Sequence, residues 1–212
     1  MKKINLTIIS IFLLINNFVF SNLQSQIDNI IIVKVGETII TSVDVQNEII
    51  TNLILNKQEI TQESIDLNKG YAIKNLVNKS LKKSEIDKYQ IKDYNKLDLE
   101  NFTKKTAKNL NTDLKGLKKI FKQSNINYKA YVEKYETELL WNTLIFKLYK
   151  NQLNINIVDV ERQVEKIKDT EDKEELKKIK ENILLKEKND KLNLLSRSHF
   201  SNLENTIVIE FK

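Results

Sequence analysis

The residues best suited to β-structure lie at the two ends of this 212-residue chain, and that placement restricts its topology. Near the N-terminus, Ile31, Ile32, Val33 and Val35 form a β-branched run broken only by Lys34, which suits a pleated, half-buried surface. Gly36 supplies a turn, and Thr38, Ile39, Ile40 and Thr41 return as a second strand. At the far end, residues 206–211 read TIVIEF, a third strand of alternating apolar and polar character. A two-stranded hairpin is not stable alone in water, and exposed strand edges need a partner. The C-terminal strand is therefore predicted to complete the N-terminal hairpin.

Everything between these pieces reads as helix. The chain has no proline, no cysteine and only three glycines, so helix breakers and disulfides are both missing. Thr41 with Asp44 has the spacing of a capping box, and Val45, Ile49 and Leu53 follow as one apolar stripe. Ile65, Ile73, Leu76, Val77, Leu81 and Ile86 trace a second helix ending near Tyr89. Leu99, Phe102 and Leu110 mark a third, and Thr112 or Asp113 caps a short fourth through Leu117 and Phe121. The fifth, over residues 128–152, is capped by Asn127 and is the longest and most apolar. Tyr128, Val132, Tyr135, Leu139 and Phe146 form one stripe on it, widened by Leu140, Trp141, Leu144, Ile145 and Leu148. So wide an apolar surface predicts neighbours on more than one side. A sixth helix starts near Val158, residues 169–177 read as a linker or an exposed helical turn, and Leu176, Ile179, Ile183 and Leu192 lead a last helix. The predicted fold is mainly α, a helical core with a small N-terminal β-hairpin completed by a C-terminal strand.

Residues 1–21 have the parts of a secretory signal. Lys2 and Lys3 precede an apolar run over residues 8–15, and Ser21 ends the stretch as a small residue. Cleavage there would leave residues 22–212 as one domain, without a stable membrane span. An uncleaved anchor is the competing reading, but Asn16 and Asn17 interrupt a stretch already short of the roughly 20 apolar residues a span needs.

The order of these parts resembles the N-terminal chaperone domain of the SurA-type periplasmic chaperones. IIIVKVGETIITSVDV (residues 30–45) is similar to the family's opening strand, turn and strand leading into a helix. YAIKNLVNKSLKKSEIDKYQI (71–91) resembles the next helix, and LKGLKKIFKQSNINYKAYVEKYETELLW (114–141) the short and long helices after it. NINIVDVERQVEKI (154–167) is similar to the following helix start, although Val158 stands where a Ser or Thr cap would be usual. ENILLKEKNDKLNLLSRSHFSNLENTIVIEF (181–211) resembles the C-terminal segment that returns to the N-terminal domain. The likeness covers residues 30–167 and 175–211. Members with proline-isomerase activity carry parvulin domains between those parts, where this chain has only residues 168–174. The resemblance thus implies a periplasmic holdase of a Gram-negative bacterium, without isomerase activity, binding unfolded outer-membrane proteins or other apolar-aromatic segments.

On this reading the chain is not an enzyme and needs no cofactor or metal. The candidate peptide-binding residues are Tyr128, Tyr131, Tyr135, Phe146 and Tyr149, because aromatic rings give large contact area with little rotamer entropy to lose. Tyr128 and Tyr131 are expected to be more exposed than Trp141. His199, the single histidine, has no third group spaced to orient a Ser–His pair and reads as a surface residue without a role. Lys104, Lys105, Lys108, Lys115, Lys118, Lys119 and Lys122 make the third and fourth helices basic, opposed in that span only by Asp113. A nucleic-acid face would carry such charge, but the export signal sets that partner aside. Acidic clients and lipid headgroups stay open. The alternative function is a non-catalytic envelope adaptor holding one folded partner, and a homodimer is compatible with either.

Overall fold

In the computed structural model, residues 29–167 and 172–212 are described, and the predicted signal segment lies outside them. Strands β1 (Ile31–Val35) and β2 (Thr38–Thr41) pair antiparallel, with Val35 opposite Thr38 and Val33 opposite Ile40. The turn between them needs a left-handed residue, and Gly36 takes φ +55° without the penalty a Cβ would bring. Strand β3 (Ile209–Phe211) lies on the other side of β1, antiparallel, with Val35 opposite Ile209 and Val33 opposite Phe211. The order β2-β1-β3 is the predicted closure. It extends past the ladder at both ends: Gly36 N donates to Val208 O at 3.0 Å, and Lys212 N donates to Ile32 O at 3.0 Å. The third strand is shorter than the sequence suggests, because the helix before it runs on to Thr206.

Among the described residues, seven α-helices connect the strands: α1 (Ser42–Leu55), α2 (Gln62–Lys88), α3 (Lys96–Asn109), α4 (Leu114–Gln123), α5 (Tyr128–Tyr149), α6 (Ile157–Ile167) and α7 (Lys173–Thr206). Cap chemistry sets their starts. Asp44 N donates to Thr41 Oγ1 while Thr41 N donates to Asp44 Oδ2, closing the capping box of α1. Thr61 with Ser64 does the same for α2, Asp113 accepts from Gly116 N at α4, and Asn127 accepts from Lys129 N at α5.

Helix ends are made without glycine. Lys57, Gln90, Asn111 and Asn125 each take a positive φ just beyond α1, α2, α3 and α4. The next residue's N–H reaches back five residues in every case: Gln58 to Leu53, Ile91 to Ile86, Thr112 to Ala107 and Ile126 to Phe121. These are Schellman closures, which satisfy carbonyls a helix end would leave bare. Each non-glycine there accepts a left-handed cost of about 1–2 kcal/mol.

The core divides into three clusters. Val33, Val35 and Ile40 from the sheet pack on Val45, Ile49 and Leu53 of α1 and Ala72, Val77 and Leu81 of α2. Ile86, Trp141, Leu144, Ile145 and Leu203 join α2, α5 and α7. Ala107, Leu117, Phe121, Ile126 and Tyr131 join α3, α4 and α5. Phe200 and Ile207 touch both of the first two clusters, so α7 links the sheet to the helical half. α7 is one unbroken helix of 34 residues, starting three residues before the apolar pattern does.

Candidate functional site

Helix α5 carries the five aromatic candidates, and its neighbours change along its length. Its first half lies against α3 and α4, where Tyr128, Tyr131 and Tyr135 meet Phe102 and Phe121. Phe102 stacks on Tyr135, Phe121 meets Tyr128 edge-on, and the Tyr131 and Phe121 centroids are 4.9 Å apart. Tyr131 is 3% exposed, against the expectation that it would stay open. The Ile126–Tyr131 staple explains this, because it draws the ring into the third cluster. Burial pushes the Tyr131 hydroxyl up to about 12. Thr106 beside it offsets part of that rise, yet no hydrogen bond of good geometry forms and the hydroxyl stays unpartnered. Tyr128 and Tyr135 are half-buried and shifted upward, again by burial.

The second half of α5 faces α2 and α7. Trp141 is buried and its indole N–H donates to Ser196 Oγ at 2.9 Å. Phe146 does not join the buried stripe: it is 49% exposed, because Leu144 and Ile145 occupy the inner face. Tyr149 is half-buried and its hydroxyl lies 2.8 Å from His199 Nδ1. A rise of about 1.5 Å per residue puts Tyr131 and Tyr149 roughly 27 Å apart along the helix. The five aromatics therefore do not form one surface. Phe146 is the exposed member, three are half-buried, and Tyr131 is core.

His199 is not the surface residue its polar neighbours suggest. Its side chain is 14% exposed, and Nε2 lies 3.1 Å from Oε1 of Glu85, itself 5% exposed. A carboxylate only accepts, so in the neutral ring Nε2 carries the proton, Nδ1 accepts, and the Tyr149 hydroxyl donates. The Trp141 ring packs at the edge of the imidazole, 5.6 Å between centroids. Glu85, Tyr149 and His199 thus tie α2, α5 and α7 through one chain of hydrogen bonds. Burial pushes the Tyr149 hydroxyl upward, with the charges of Tyr89 and Glu85 adding to the effect.

A second polar knot sits at the other end, between α1, α2 and α5. Glu48, 8% exposed, accepts at Oε1 from Asn52 Nδ2 (3.1 Å), Asn75 Nδ2 (3.0 Å) and Lys134 Nζ. It borders a small hollow of about 100 Å³ shared with Leu76, Ala130 and Tyr131. Two wider hollows flank α7. One, of about 420 Å³, lies between Asn154–Val160 and Glu187–Leu194, and the other between Asn142 and Ile145 of α5 and Leu192 of α7. Neither contains a candidate aromatic. Among the described residues, no cluster of three or more His, Asp or Glu side chains could hold a metal ion, and no helix is long and apolar enough to cross a membrane.

The fold and these surfaces define a mainly helical protein whose two chain ends close a three-stranded sheet. No protein-family model matches the sequence, and no curated protein matches it.

Proposed function

We propose that this chain is an ATP-independent holdase of the periplasm, binding apolar-aromatic segments of unfolded outer-membrane proteins without isomerase activity. The observation that carries the reading is the joint between the chain's ends. β3 pairs with β1 in the register Val33–Phe211 to Val35–Ile209, which is the return that resemblance to SurA-type chaperones implies. Apolar side chains stand ready for a passing segment. Leu67 and Tyr71 lie one turn apart on α2, 77% and 62% exposed, with Phe146 on α5 and Phe211 at the sheet edge. Among the five aromatics, Phe146 leads as a client contact. Tyr128, Tyr135 and, at the far end of the helix, Tyr149 contribute partial faces, and Tyr131 packs against the first two from beneath. Ordering an unfolded client costs chain entropy, so each contact is weak and binding is reversible. Such contact requires no nucleotide.

The test is light scattering of a denatured porin diluted into buffer with and without the purified chain. Suppressed aggregation at near-stoichiometric ratios without nucleotide is the expected result. No suppression for the porin or for other unfolded clients sinks the reading, and a single stoichiometric partner from envelope extract would then favour an adaptor.

A further inference from the structure

We propose that the outer face of α3 and α4 docks on a phospholipid bilayer containing anionic headgroups. The starting point is where the charge lies. Residues 96–130 hold nine lysines against three carboxylates, while the other 177 residues hold 26 basic and 26 acidic side chains. The whole formal charge of +6 therefore resides in this one segment. A lysine-rich composition does not account for that, because lysines elsewhere in the chain are matched by acids.

The fold turns this segment into a surface. Lys115, Lys118, Lys119 and Lys122 recur at i, i+3, i+4 and i+7 on α4, all exposed, opposite the fully buried Leu117 and Phe121. Lys105 and Lys108 are exposed on α3, and Lys104 shares a shallow hollow with Lys115, so the two rows adjoin. Two of the segment's three acids are engaged, and the third, Asp98, lies in the first turn of α3. Asp113 caps α4 through Gly116 N, and Glu100 pairs with Lys104. Among the described residues, Lys104 is the one member of the seven with a carboxylate partner. The face is held rigidly, since α3 and α4 share a core of Ala107, Leu117 and Phe121 and α3 ends in a Schellman closure.

The chemistry of the face selects among anions. It contains lysine and no arginine, although Arg162 and Arg197 occur elsewhere in the chain. Ammonium groups are hydrated point charges without the fixed fork that guanidinium offers to one carboxylate or phosphate. They suit a fluid array of headgroups better than a single shaped ligand. In a duplex groove Arg or Lys pairs with guanine and Asn or Gln with adenine, but the outward row of α4 is four lysines alone, which offers charge without a mixed reading set. Each lysine brought to an anionic surface is worth roughly fivefold in affinity at moderate salt.

The experiment is co-sedimentation of the full chain with two vesicle types, pure phosphatidylcholine and phosphatidylcholine mixed with phosphatidylglycerol, over a salt series. Two charge-matched variants are compared. One carries Lys115→Gln, Lys118→Gln, Lys119→Gln and Lys122→Gln; the other carries Lys177→Gln, Lys178→Gln, Lys186→Gln and Lys188→Gln on the exposed side of α7. The expected result is binding to mixed vesicles that weakens with salt, falls at least about tenfold in the α4 variant, and stays within about twofold in the α7 variant. Should the α4 variant not fold, Lys105→Gln with Lys108→Gln on α3, set against Lys186→Gln with Lys188→Gln on α7, gives a charge-matched comparison with the same expected order of loss. Equal loss in both charge-matched variants overturns the proposal, since net charge alone would then act. So does binding to mixed vesicles no tighter than to phosphatidylcholine, or tighter binding to duplex DNA or polyglutamate at the same salt.

Discussion

Replacing His199 by alanine separates two pictures of this residue that differ by several kcal/mol. A solvated histidine changes stability by about 0.5 kcal/mol or less when removed. In the structure His199 makes two hydrogen bonds, one to the Glu85 carboxylate at 3.1 Å and one with Tyr149 at 2.8 Å. A bond to a charged group contributes about 1.5–3 kcal/mol and a neutral one about 0.5–1.5 kcal/mol. Removal also leaves Glu85 with only Lys88, 3.2 Å away and largely in solvent. The edge-on contact with Trp141 goes too. His199→Ala should therefore destabilise the fold by about 3 kcal/mol, and Tyr149→Phe by about 1 kcal/mol.

The double variant makes the reasoning sharper. The Tyr149–His199 bond is lost in both single variants but only once in the pair, so the double should fall short of their sum by about 1 kcal/mol. Urea unfolding of the four proteins at neutral pH, followed by far-ultraviolet circular dichroism, measures each term. A His199→Ala cost near 0.5 kcal/mol, or strict additivity in the cycle, would refute the three-helix tie.

Two further outcomes follow from buried groups. The Tyr131 hydroxyl is raised to about 12 in the fold, from an ordinary value of 10.0. The folded state thus holds its proton more tightly, so this contribution is intact below pH 10 and is lost as pH rises toward 12, by about 2–3 kcal/mol. Tyr131→Phe should flatten the alkaline loss at little cost near pH 7, because the hydroxyl it removes is unpartnered; an unchanged alkaline profile in urea unfolding would contradict this. At the Glu48 knot, Lys134→Met leaves a largely buried carboxylate with only two amide donors and should cost about 1–2 kcal/mol, allowing for the partial exposure of Lys134. A thermal midpoint equal to the parent's would show that Lys134 contributes nothing to that knot.

Sequence reasoning reached the sheet and three of the helix starts for a common reason: both are written in short-range chemistry. A β-branched run needs a partner strand wherever one exists, and Thr41, Asp113 and Asn127 cap the helix that begins at the next residue. Helix stops are different. Asn111 and Asn125 tolerate left-handed backbone, but Lys57 and Gln90 announce nothing of the kind; Gln90 takes it where Ile91 returns to the core, and Lys57 takes it ahead of the exposed Gln58. The aromatic site was the least legible part. Periodicity identified α5 as apolar on two sides but could not say that α3 and α4 cover its beginning while α2 and α7 cover its end. That exchange of neighbours buries Tyr131 and leaves Phe146 in solvent.

Long-range polar pairs are legible only in three dimensions. Glu85 and His199 are 114 residues apart, and no local spacing links them. Charge behaves in the opposite way, since the imbalance over residues 96–130 can be counted from the sequence alone. What the fold adds is direction: Leu117 and Phe121 are spent on the core, so the lysines between them can only face outward. The aromatic core that α3 and α4 share with α5 thus fixes the orientation of the basic face. The exposed Tyr71 and Phe146 lie on α2 and the far half of α5 instead. The proposed headgroup contact and the proposed client contact thus fall on different helices, so substitution of one set tests it without touching the other.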